Sequence, residues 1–292
     1  MQTRRNIFLW ILYDFANSLV SVVFFLYFAQ WIVIEQGISD FAYNLTYTIS
    51  AVLLLFTVPL TGSLLDKSLR RITGLRYTTV LTALFYGGCA ISAINGFSVI
   101  ALALFTLGMY TYLLSFTFYT PLINDISSEN KRGSVSGWGI FANYVGQIAG
   151  LLIALPISTG SWSFFGSSPR AETLLPSVIL FILFALPMLL MFKETSRVKI
   201  RHSLRDHVKS VFADTKFLMS SSGVGLFLLA YFLFNDAILT AANNFSIFLE
   251  QVWHIPDTVK TYLLLSILVT SALGGIIGGA IADRFGQKRT LM

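Results

Sequence analysis

Two aspartates stand where a carboxylate is expensive. Asp14 and Asp236 lie inside the long apolar runs YDFANSLVSVVFFLYFAQW and NDAILTAANNFSIFLEQVW. A charge at membrane depth costs about 2.5–3.5 kcal/mol on insertion scales, so such residues by default bind substrate, carry protons or pair with a neighbour. At helical spacing Asp14 shares a face with Asn17, Ser18 and Ser21, and Asp236 shares one with Thr240 and Asn243. These two faces are the candidate lining of a polar route for substrate or protons. A third face holds Ser136, Asn143 and Gln147. Packing against a neighbouring helix is the plainer account of those amides, and substrate binding the sharper one. Asp14 carries a bland reading too. If Trp31 marks the outer interface, Asp14 lies about 25 Å below it at 1.5 Å per residue, near the inner edge of the hydrocarbon. There it would cap or tether a helix end.

Other chemistries find no footing. His202, His207 and His254 are scattered and form no ligand set with carboxylates, and Cys89 is the sole cysteine, so no metal site is expected. No phosphate-cradling P-loop is present, which argues against an ATP-driven pump. The residues predict no enzyme and no cofactor.

The elements that must hold these residues are membrane spans. Hydrophobic residues make up 55% of the chain and charged residues 12%, about half the share of a soluble domain. Apolar runs at or near the roughly 20 residues that cross a bilayer recur along the chain. Eight spans are predicted, at 7–34, 44–65, 75–95, 97–120, 134–157, 174–192, 223–250 and 260–282. The basic start MQTRR before an apolar stretch resembles a signal peptide, but Asp14 and Asn17 interrupt the run, and it reads as a span that stays. With the N-terminus inside, every Lys and Arg falls on the inner side except Arg170 and Lys260. That is the positive-inside pattern of a multi-pass protein. It explains the net charge of +6 as topology and excludes a nucleic-acid footprint. The partners are then the lipid bilayer and a small-molecule substrate. The longest interruption, 194–222, separates a six-span unit, 1–193, from two further spans, 223–292. Within that interruption SLRDHVKSVFADTKFL has the apolar spacing of an amphipathic helix lying on the membrane surface.

The first and seventh spans look like copies. Asp14 precedes Trp31 by seventeen residues, and Asp236 precedes Trp253 by the same seventeen. The spans that follow each end in a second shared pattern, GSLLDKSLRR and GAIADRFGQK. The first holds Gly62, Asp66, Lys67, Arg70 and Arg71. The second holds Gly279, Asp283, Arg284, Gly286 and Lys288. Two copies of this loop at equivalent places, around a long inner loop, resemble the major facilitator superfamily of secondary transporters, whose halves are parallel repeats. The first copy departs from the family pattern, with Leu69 where Gly is usual. PLINDISSENKRGSVSG after the fourth span and FKETSR after the sixth fit the same family. The segment YDFANS, Tyr13 to Ser18, is similar to the vacuole-effluxer branch, the autophagy-related amino-acid effluxers.

The resemblance implies an all-α membrane protein of the major facilitator fold, with a complete six-helix first half and the first two helices of the second. Family members have twelve spans, so the expectation is a C-terminally truncated chain. The implied activity is secondary transport of a small polar solute, amino acids among them, by alternating access with proton coupling. Two other readings stay open: a remnant that does not transport, and a drug exporter of the same fold. The loop residues named above would form an inner gate, with Asp283 beside the start of span five and Asp66 lacking its partner span. The small-residue pairs Gly146 and Gly150 in span five, and Gly274, Gly275, Gly278 and Gly279 in span eight, let helices approach closely. Gly146 is expected to face Gly275. The implied location is an integral multi-pass position in the plasma membrane, if the source is bacterial, with a cytoplasmic N-terminus.

Overall fold

The computed structural model describes residues 2–67, 70–194 and 223–285. Within them every element is a helix. The reason is solvent: a bilayer offers no hydrogen bonds, so a spanning segment must satisfy its backbone internally. Helix α1 covers Gln2–Val23 and continues through two π-helical turns, Phe24–Phe28 and Trp31–Glu35. The others are α2 (Asp40–Lys67), α3 (Arg71–Ile94), α4 (Ser98–Tyr119), α5 (Glu129–Ser158), α6 (Leu174–Met191), α7 (Val224–Trp253) and α8 (Asp257–Phe285). One-turn helices at Ile123–Ile126 and Pro169–Glu172 precede α5 and α6. Seven helices, α1 through α7, are long and apolar enough to cross a membrane, and the sequence-predicted span 260–282 falls within α8. The proposed surface helix after 200 lies outside the described residues.

Helix α1 is the axis of the bundle. Its apolar run is almost wholly enclosed, whereas α7 is exposed along most of its length. It packs chiefly against α5 and α6, while α3 and α4 pair with each other beside it. The α1–α5 contact is close because α5 offers glycines. A Cβ at Gly150 would come within 2.6 Å of the Leu19 carbonyl oxygen, and one at Gly146 would strike the Phe15 carbonyl. The prediction that Gly146 faces Gly275 on α8 is therefore corrected: Gly146 and Gly150 seat α1 inside their own half. A Cβ at Gly274 would meet nothing within 4 Å. The side chains of residues 275–285 lie outside the described residues.

Helices α1 and α4 are tied reciprocally. Trp10 Nε1 donates to the Tyr119 carbonyl at 3.3 Å, Tyr119 Oη donates to the Trp10 carbonyl at 2.9 Å, and the rings stack at 4.8 Å. At the end bearing the N-terminus, here the near end, Asn6 Nδ2 donates to the Lys193 carbonyl. Glu194 there accepts from the Ile72 N–H, and Arg76 Nε donates to the Leu189 carbonyl. These bonds join α1, α3 and α6 into one unit.

The opposite, distal end joins this unit to α7 and α8. The turn between α7 and α8 is set by His254, which adopts the left-handed conformation at φ 52. The N–H of His254 bonds back to the Glu250 carbonyl at 3.1 Å, the left-handed stop that reverses the chain. The reversal brings Glu250 on α7 beside Asp257 and Lys260 on α8.

Candidate functional site

Two polar regions emerge, one inside the bundle and one at its distal end. Inside, Asp14 is half-buried on α1 and turns toward α5. Its carboxylate lies beside Asn143, and a Cβ at Gly139 would stand 3.4 Å from Asp14 Oδ2. Asn143 Oδ1 accepts from Gln147 Nε2 at 2.7 Å. The structure thus joins Asp14, Asn143 and Gln147 into one polar track between α1 and α5, where the sequence placed them on separate faces.

Asn17 does not share that track. It is 1% exposed and lies beside the Tyr13 hydroxyl. Tyr13 Oη instead pairs with Thr79 Oγ1 at 2.7 Å. Asp236 sits near the middle of α7 on its exposed stretch. Asn243 is half-buried, and it is its neighbour Asn244 that makes the bridge to α2. Arg71 lies at the near end, 3.8 Å from Asp125, and its Nη1 donates to the Pro121 carbonyl. Arg70 is exposed just ahead of α3. The side chains of Gly62, Asp66, Lys67, Gly278, Gly279, Asp283 and Arg284, and all of Gly286 and Lys288, lie outside the described residues. Among the described residues no group of His, Cys, Asp and Glu could hold a metal.

The distal region was not singled out from sequence. Arg170, in the one-turn helix before α6, is its hub. Arg170 Nε and Nη2 donate to Asp257 Oδ2 and Oδ1 at 2.7 and 2.9 Å, and Nη2 also donates to both Glu250 oxygens at 2.8 and 2.7 Å. The planar guanidinium grips Asp257 with two N–H groups at once, a fork that an ammonium does not present. Glu35, at the end of α1, approaches Arg170 Nε at 3.5 Å and accepts from Ser168 Oγ. Lys260 is fully buried, and its Nζ reaches Glu250 Oε2 at 2.6 Å and Asp257 Oδ1 at 2.7 Å. The Gln30 carboxamide, also fully buried, completes that shell. With its amide turned so that nitrogen faces the acid and oxygen the ammonium, the one orientation that satisfies both, it donates to Asp257 Oδ1 at 2.9 Å and accepts from Lys260 Nζ at 3.0 Å.

Local folding delivers these groups. The π turns of α1 widen the helix where Tyr27 and Gln30 face α8, and Tyr27 Oη pairs with Thr261 Oγ1 at 2.9 Å. Such turns recur at functional sites. The loop carrying Ser168 is gathered by the buried Glu172, which accepts from the N–H groups of Phe164 at 2.6 Å and Ser167 at 2.8 Å. A signal for this region did exist in the sequence: Arg170 and Lys260 are the two cations that break the positive-inside pattern.

A bundle of membrane-length helices around a central polar track, with charges gathered at its end, defines a polytopic α-helical membrane protein. The chain belongs to the Major Facilitator Superfamily, whose family model matches residues 15–292. It is similar to the uncharacterized MFS-type transporter YxiO of Bacillus subtilis (strain 168), at 24% identity over 307 aligned positions, covering 97% of this chain and 68% of that protein. Membership makes it an integral multi-pass membrane protein of a family of secondary transporters.

Proposed function

We propose that the chain carries a small polar solute across the membrane by alternating access, driven by protons, with Asp14 as the proton-coupling carboxylate. The observation that carries this reading is Asp14 itself, a half-buried acid on the central helix with Asn143 and Gln147 in line beside it. A carboxylate at that depth can take a proton from one side and release it to the other, and the amides offer both donors and acceptors to it or to a solute. Asp236 on α7 holds the equivalent repeat position and is the second candidate. The YDFANS likeness favours amino acids as the solute. The charge pattern supports a cytoplasmic N-terminus and a six-span unit followed by two spans of a second half, in a plasma membrane if the source is bacterial, and the twin loop motifs favour an inner gate built on Asp66 and Asp283.

Reconstitution into proteoliposomes tests the reading. With an imposed proton gradient, the wild-type protein accumulates a labelled neutral amino acid. Asp14→Asn, a permanent mimic of the protonated state, abolishes gradient-driven accumulation and leaves solute exchange at equal concentrations intact. Accumulation that is unchanged in Asp14→Asn would falsify the coupling role, and Asp236→Asn then becomes the variant to follow.

A further inference from the structure

The distal ion pairs are shared unequally between the two parts they join. Glu35 and Arg170 belong to the unit formed by α1–α6, and Glu250, Asp257 and Lys260 belong to α7 and α8. Among the described residues, every hydrogen bond and ion pair between these parts lies in the distal half. They are the Arg170 contacts, Gln30 with Asp257 and Lys260, Tyr27 with Thr261, Asn44 with Asn244, and Gln251 with Asp40.

If α7 and α8 swing away at the distal end, each part keeps a partner of its own. Lys260 retains Glu250 and Asp257, since all three ride on the α7–α8 hairpin. Arg170 loses two carboxylates and has Glu35 within 3.5 Å, the most exposed acid of the group at 29% of its side chain. Stranding a buried charge is what makes breaking an ion pair costly. Here every cation keeps a carboxylate in either state, and the α7–α8 side carries one carboxylate more than its single lysine.

We propose that this cluster is a partner-exchange latch for the distal gate. Arg170 binds Glu250 and Asp257 when the gate is closed and transfers to Glu35 when it opens. Glu35 is thus a parking site for the open state, and Glu250 and Asp257 hold the closed one. The proposal rests on the alternating-access reading above and makes Glu35 and Glu250, two acids on one arginine, act in opposite directions.

The test reads gate opening without reading transport. Ser246, 2% exposed in the distal half of α7, is replaced by cysteine in a Cys89→Ser background, in membrane vesicles exposing the distal face. A membrane-impermeant thiosulfonate reagent then measures how often that position is uncovered. Arg170→Gln and Glu250→Gln are expected to raise the labelling rate about tenfold, a modest shift of a two-state population. Glu35→Gln is expected to lower it, which a misfolded variant cannot do. Equal acceleration by Glu35→Gln and Glu250→Gln, or no change in either, overturns the latch. Solute flux in the same vesicles separates the two claims. Labelling that responds as expected without flux leaves the latch standing and removes the transport reading. Flux with unresponsive labelling does the reverse.

Discussion

Lys260 shows how much a single side chain is asked to do at the distal end. Its ammonium has no contact with solvent and is held by two carboxylates and the Gln30 carbonyl. A buried ion pair contributes little net stability over an apolar substitute, but removing one partner leaves the other charge uncompensated. Lys260→Met is therefore expected to destabilise the protein by about 3–5 kcal/mol, the range found when a buried pair is broken. It would appear as a lowered unfolding midpoint in detergent, and an unchanged midpoint would show that Arg170 alone neutralises both acids. The sequence marked Lys260 and Arg170 only as two exceptions to a charge rule. Asp14, by contrast, was legible from its cost alone. What the sequence missed is the direction in which each polar group points. Asp14 and Asn17 share a helical face on paper, yet Asp14 leans to Asn143 on α5 while Asn17 lies by the Tyr13 hydroxyl. Trp31, read as an interfacial marker, is buried, while its repeat counterpart Trp253 is two-thirds exposed.

Among the elements, α5 carries the clearest consequence of sequence for packing. The Cβ of an alanine at Gly146 would meet the backbone oxygen of Phe15, which cannot rotate away, so α1 and α5 would have to separate. Gly146→Ala should cost about 1–3 kcal/mol, the usual range for overpacking a tight contact. It should also disturb the Asp14–Asn143 approach one helical turn away. Gly274→Ala, in a helix position with open space around it, should be neutral or stabilising by up to about 1 kcal/mol through helix propensity. Thermal unfolding of the two variants side by side checks the contrast, and equal losses would show that Gly274 is also a packing site. The glycines themselves were readable as close-approach positions. Which helix each one meets was not, because a small residue permits contact with any neighbour and names none.

At the scale of the whole molecule, the bonds between α1–α6 and α7–α8 among the described residues gather at the distal end. Asn44 on α2 and Asn244 on α7 exchange hydrogen bonds at 2.9 and 3.0 Å, across the same distal junction as the ion cluster. A protein that must open there should stall when this pair is tied. Cysteines at both positions, joined by a short bifunctional thiol reagent, are expected to stop solute flux, with recovery on reduction. Flux that persists in the fully cross-linked protein would show that the distal ends need not part.

The sequence by itself determined the class of the molecule. Long apolar runs require helices in a membrane, and the paired Asp–Trp and Gly–Asp–basic patterns point to the family that the family model then shows. All three are one-dimensional signals, readable because a bilayer imposes its thickness and sidedness on every span alike. Tertiary structure alone decided which charges meet. Arg170 lies 80 residues from Glu250 and 87 from Asp257, and no periodicity relates them. Their meeting depends on a left-handed turn at His254, two π turns in α1 and a loop gathered on Glu172. Each of these is a small departure from regular helix, and together they aim five charges at one point.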